Sequence, residues 1–229
     1  MNGKELVHLL HISDPTLPIG AYTHSNGLET FVQKNMVHDH VSAKAFIENM
    51  IKYNLKFNDG AFVRLAYEAT TKKDIADLVQ LDLECSSIRA PRELRLANQK
   101  LGLRFVKIFK RRFSSDFTRE FELQISENRA IGNYPIVFGL YAVQMGVTLS
   151  DALFGFYYSS LMGLITNAVK LVPLGQMHGQ DILFDLYALL EKTVEETIEL
   201  DRNFVGLSNC SFDIRSMQHE RLYSRLYMS

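Results

Sequence analysis

Ser150-Asp151-Ala152-Leu153-Phe154-Gly155-Phe156-Tyr157-Tyr158-Ser159-Ser160-Leu161-Met162-Gly163-Leu164-Ile165-Thr166-Asn167-Ala168-Val169-Lys170 is the stretch on which the fold turns. Between Arg129 and Lys170 the only charged side chain is Asp151. A membrane-spanning helix needs about 20 consecutive apolar residues. Gly132, Pro135 and Gly146 with Asp151 cut this region in two, and Tyr157, Tyr158, Ser159, Ser160, Thr166 and Asn167 punctuate the second piece. The reading is a buried central helical hairpin and no membrane span. The small residues Gly139, Gly155, Ser159 and Gly163 would let neighbouring helices approach closely. Burial of so uncharged a pair of helices across a dimer is the alternative.

Working outward, the punctuation is sparse. Prolines stand at 15, 18, 91, 135 and 173, with long stretches rich in Leu, Ala, Lys, Glu and Arg between them. Asn26-Gly27 and Asp59-Gly60 are possible hairpin turns, but helix-period sequence surrounds both. The chain therefore reads as all-α, one domain over 1–229, a bundle of about nine to ten helices.

The first helix covers about Lys4 to His11, and Ser13 to Gly20 is irregular because Pro15 and Pro18 remove donors. A helix over Tyr22 to Lys34 follows, then one after His38-Asp39-His40 that Asp59-Gly60 breaks before Ala61 to Ala69. Thr71 to Asp74 starts a helix carrying Ile75, Leu78, Val79 and Leu83. Pro91 suits a first helical position, and the helix after it carries Leu94, Ala97, Leu101, Phe105, Ile108 and Phe109 on one stripe. A further helix runs from Asp116 to Asn128, and Pro135 opens the next. Pro173 and Gly175 end the apolar region, and a charged helix spans Gln180 to Leu200. Residues 200–229, rich in Asn, Ser and Arg, read as a polar tail with one short helix, loosely attached.

Composition narrows the function. The 229 residues carry 25 basic and 26 acidic side chains, a balance that argues against nucleic acid as a partner. The 47% apolar share excludes a disordered chain. Cys85 and Cys210 are too few for a disulfide framework and suit a reducing cytoplasm. The amino terminus lacks the basic and long apolar regions of a secretory signal.

Catalytic signatures are absent: no P-loop, no Gly-x-Gly-x-x-Gly, no Gly-x-Ser-x-Gly and no His-Glu-x-x-His occurs. His38 and His40 are two imidazoles of an incomplete metal site or part of a surface loop. His178 is a switch, a ligand or a turn histidine bonded to backbone. Arg92, Arg95, Lys100 and Arg104 form a basic stripe, a solvated face or a partner-docking one. From chemistry alone this is a non-catalytic helical interaction protein with no metal site and no cofactor.

Four patches, in order, add a resemblance. They are Leu17-Pro18-Ile19-Gly20-Ala21-Tyr22-Thr23-His24-Ser25-Asn26-Gly27-Leu28-Glu29; Arg92-Glu93-Leu94-Arg95 with Gly102 and Arg104; Tyr134 to Gly139 with Leu171 to Gln176, Gly179 and Gln180; and Met217-Gln218-His219-Glu220 with Tyr223-Ser224-Arg225-Leu226-Tyr227. Together they resemble the urease accessory protein F family, with Ala21, Thr23, His24 and Tyr134 departing from its usual residues.

The resemblance implies a maturation factor that bridges the D-type accessory protein (H in some systems) and a G-type GTPase on apo-urease. GTP-dependent insertion of nickel would follow, with no hydrolysis by this chain, a homodimeric state and an internal passage for nickel, which is cargo rather than cofactor. It points to Pro18, Gly20, Tyr22, Ser25 and Glu29, and to Arg92 and Arg95, as partner-binding positions, where packing is the competing role. It implies that Gln176, His178 and Gln180 line a polar passage or touch the GTPase, a turn between two core helices being the alternative. In the tail it singles out His219, Glu220, Tyr223, Arg225 and Tyr227, in a segment that orders on the D-type partner or frays; Tyr and Arg suit interface anchors. Two other classes remain open: a metallochaperone holding nickel on its own His and Cys, and an enzyme with an unrecognised helical site.

Overall fold

The computed structural model describes residues 2–228, and among them it contains only helices, turns and loops. Twelve α-helices occur: α1 Gly3–Ile12, α2 Leu28–Gln33, α3 His40–Met50, α4 Ala61–Lys72, α5 Ile75–Ser87, α6 Arg92–Phe109, α7 Asp116–Ser126, α8 Tyr134–Gln144, α9 Leu149–Leu171, α10 Gln176–Asp185, α11 Tyr187–Ile198 and α12 Cys210–His219. The all-α expectation holds, with more helices than the nine or ten expected.

The excess has local causes. The helix expected over Tyr22 to Lys34 is two pieces, a 3₁₀ turn Ala21–Thr23 and α2, separated by Asn26 and Gly27 in left-handed conformations. The charged helix expected over Gln180 to Leu200 bends at Leu186, where the last carbonyls of α10 are capped before α11 begins. Asp59-Gly60 does the opposite of what was expected. A π-helical segment Ile51–Gly60 runs directly from α3 into α4 with helical dihedrals at both junctions. Asp59 is held there by Arg89 at 2.8 Å rather than turning the chain. Pro91 caps α6 from just outside it, and Pro135 sits in the first turn of α8.

Side-chain caps set several helix starts. Asn2, Asp39 and Ser115 each accept from the third helical amide in reciprocal boxes, and Thr148 accepts from Asp151. Asp74 starts α5 by accepting from Asp77, after Lys73 ends α4 in the left-handed region.

The apolar helices α8 and α9 are consecutive and central, as the sequence indicates. Eight of the eleven α8 residues are buried, mostly between α4 and α6. α9 passes among α1, α2, α3, α4, α8, α10 and α11. It is long and apolar enough to cross a membrane by length and composition, yet 56% of its most apolar window is buried inside the protein. A core helix of this kind is apolar over most of its surface because neighbouring helices cover most of it, leaving an edge at Phe154 and Thr166 exposed. Aromatic rings fill the centre: Phe105 contacts Phe109, Tyr134, Phe138 and Tyr141, and Phe156 contacts Tyr134, Phe138 and Tyr157.

The tail is not loose. Phe212, Ser216 and His219 of α12 are buried, as is Tyr227 beyond it, and α12 packs on α2 and α6.

Candidate partner-docking site

The amino-terminal loop, α2, the first turn of α6 and the carboxyl tail converge on one buried polar cluster. Glu29, in the first turn of α2, is 4% exposed and would be costly to bury unpaired. Its carboxylate accepts from the backbone amides of Leu226 at 2.7 Å and Tyr227 at 3.2 Å. His219, 1% exposed at the end of α12, places Nε2 3.1 Å from Glu29 Oε2 and Nδ1 2.7 Å from Glu93 Oε2. Arg225 donates to the other Glu93 oxygen at 2.7 Å. Each carboxylate oxygen thus meets a donor of the tail. When the imidazole carries a proton on both nitrogens, it donates to both acids at once.

The surroundings close this latch. Gly27 has φ +79°, and a Cβ there would stand 2.7 Å from Ser216 Oγ and 3.1 Å from the Phe212 ring. Only glycine combines that turn with so close an approach of α12. Gln33 donates to the Ser224 carbonyl at 2.9 Å, and the Met228 amide donates to the Thr23 carbonyl at 2.9 Å. Burial, then the Glu29 carboxylate, pushes the Tyr227 hydroxyl up from its ordinary value. Asn167 of α9 donates to the His24 carbonyl at 2.8 Å and fastens the amino-terminal loop to the core.

Of the residues singled out in the sequence, Glu29, His219, Arg225 and Tyr227 meet in this latch. Ser25 is buried beside it and its Oγ accepts from the Glu29 amide. Tyr22, Glu220 and Tyr223 are exposed around it. Pro18 is exposed between buried Leu17 and Ile19. Gly20 lies against the Arg104 guanidinium, which donates to the Ile19 carbonyl at 2.9 Å. Arg95 is turned inward, donating to the carbonyls of Arg89 and Ala90 at 2.5 and 3.0 Å, whereas Arg92 is exposed. Gln176 and Gln180 are exposed on α10, which packs on α9, and take no part in the latch.

Glu93 was missed as a site residue. The one available signal was its sign, a single acid between Arg92 and Arg95 in a basic stripe.

A second feature adjoins the latch. A cavity of about 160 Å³ lies between the amino-terminal loop, the π-helical segment, α6, α9 and the start of the tail. Asn54, Asn58, Asp59, Arg89, Asn98 and Asn167 give it polar walls. Burial opposes the charge on Arg89, but Asp59 outweighs it and holds the guanidinium protonated more firmly than usual. Cys85, buried next to Arg89, has its thiol pushed up to about 12 by burial, which makes it an inert packing group.

Comparison with known proteins identifies the family. The UreF family model matches residues 37–187. The chain is 46% identical over 225 residues to the urease accessory protein UreF of Actinobacillus pleuropneumoniae serotype 5b (strain L20), covering 98% of this chain and 99% of that protein. It is 44% identical to the UreF of Haemophilus influenzae (strain PittEE), covering 98% and 96%. It is 34% identical over 226 residues to the UreF of Bacillus sp. (strain TB-90), covering 99% and 100%. The relatives extend over the amino-terminal loop and the tail, so both halves of the latch fall within the likeness, and the chain belongs to the UreF family of urease accessory proteins.

Proposed function

We propose that this protein acts in the cytoplasm as a non-catalytic adaptor in urease maturation, with 1–229 as one domain that pairs into a homodimer. It bridges the D/H-type accessory protein and the G-type GTPase on apo-urease, so that GTP hydrolysis by the partner drives insertion of nickel, the cargo. The observation that carries the reading is the tail. Its backbone and His219 are anchored by Glu29 and Glu93, while Tyr223, Leu226 and Met228 are left exposed. A held segment that presents large side chains to solvent meets a partner with little further ordering entropy. Tyr is among the residues most favoured as an interface anchor.

The test is co-purification with the D-type partner and the GTPase, comparing the full chain with one ending at Asp213 and with Tyr223→Ala. The full chain should retain both partners, the truncated chain should lose the D-type partner, and Tyr223→Ala should weaken its retention about tenfold or more. Full retention by both altered chains overturns the reading. Tyr223 is wholly exposed, so its replacement leaves the fold intact.

A further inference from the structure

Two imidazoles meet away from the latch. His40 is the first residue of α3 and His178 the third of α10. Their ring centroids lie 5.3 Å apart with planes tilted by 45°. A clasp holds the two helices in that relation: Lys44 Nζ donates to Asp185 Oδ2 at 2.6 Å. Lys44 lies four residues after His40 and Asp185 seven after His178, so each imidazole shares a helix face with its half of the clasp.

His40 Nε2 is sealed from solvent and makes no hydrogen bond. A buried nitrogen left in that state is destabilising, unless something the lone pair can bind arrives. The ring spacing indicates what would fit. In a bis-imidazole centre each nitrogen is about 2.0–2.1 Å from the metal and about 1.1 Å from its own ring centre, so two ligands at about 90–110° hold their centroids roughly 4.5–5.3 Å apart. The observed separation lies at the upper end of that range. Among the described residues no group of three or more His, Cys, Asp and Glu is assembled, so other coordination positions fall to water on the side of the exposed His178.

We propose that His40 and His178 form an open site for one borderline divalent transition cation, Cu²⁺, Ni²⁺ or Zn²⁺. Imidazole nitrogen selects such ions, whereas Mg²⁺ and Ca²⁺ demand oxygen. His38 is outside the pair: it is half exposed and faces Asp39 at 3.8 Å. Two protein ligands give modest affinity and ready release. The inference rests on the imidazole pair alone and not on the adaptor reading.

The test titrates the full-length, tag-free chain with Cu²⁺ or Ni²⁺ alone, by calorimetry and by paramagnetic broadening of histidine ring signals. One site per chain is expected, tighter for Cu²⁺ than for Ni²⁺ and unaffected by excess Mg²⁺. His40→Gln and His178→Gln should each weaken it at least tenfold, with broadening strongest at these two rings, and His38→Gln should leave it unchanged. His178 is exposed, so His178→Gln carries the test even if His40→Gln alters the fold. Absence of binding, or affinity unchanged in His178→Gln, overturns the proposal.

Discussion

Asp82 is wholly buried on α5 and spends its carboxylate on the backbone of the loop that launches α8. It accepts from the amides of Ile131, Gly132 and Asn133 at 2.5, 2.8 and 2.8 Å and from the Asn133 side chain at 2.8 Å. Asn98 completes the turn by accepting from the Tyr134 amide at 2.8 Å. Asp82→Asn sets an amide among four donors and leaves some of them buried and unmet. A loss of about 3 kcal/mol follows. At roughly 2–4 °C per kcal/mol for a chain of this size, calorimetric melting should fall by about 6–12 °C. His24 makes a second prediction at this scale. Burial, then Lys100 and Arg104, lowers its proton affinity from the ordinary 6.5, with Glu93 opposing. The folded state therefore binds this proton less readily than the unfolded one. The resulting stability is fully present above about pH 6.5 and lost as pH falls through the depressed folded value. Urea unfolding across that acid window should show a shallower decline for His24→Gln than for the parent chain.

At the scale of elements, glycines divide into those that bring helices together and those that do not. A Cβ on Gly139 of α8 would stand 2.5 Å from the Val63 carbonyl of α4 and 3.0 Å from the Ala66 methyl. On Gly163 of α9 it would meet nothing within 4 Å. Both were read from the sequence as close-approach residues, and only Gly139 is one. Gly139→Ala must push α4 and α8 apart and should cost about 2 kcal/mol or more. Gly163→Ala stiffens the middle of a 23-residue helix at no steric cost and should gain about 0.5–1 kcal/mol. Opposite shifts in melting temperature would confirm the division; equal losses would refute it. Much at this scale was legible. Pro135 and Asp151 mark helix starts, and Pro173 with Gly175 separates α9 from α10. The docked tail was not. Its polar composition resembles a frayed terminus, and the groups that hold it, Glu29 and Glu93, lie 190 and 126 residues from His219. Pairing at such separations leaves no period in the sequence. Four latch residues stood out through family likeness, while Glu93 was masked by its basic neighbours.

For the whole molecule, the decisive question is what α9 faces, because its length and mean hydropathy would also suit a membrane span. The packing answers it: helices from both ends of the chain cover α9, and the buried Asn167 makes a hydrogen bond to a loop more than 140 residues away. A lipid-facing helix and a core helix respond differently to charge. In a bilayer, acids anywhere around the apolar surface are expensive. In this bundle the cost depends on side. Leu161 is fully buried, and Leu161→Asp places a carboxylate where no partner can reach it, so the cooperative melt should vanish and the chain should aggregate. Phe154, on the same helix, is 37% exposed, and Phe154→Asp should keep helicity and a single melting transition with a loss of about 1–2 kcal/mol. Circular dichroism and gel filtration of the two variants distinguish the cases. If both fail to fold, charge is costly on every side of α9, and the one-sided packing described for this helix is overturned.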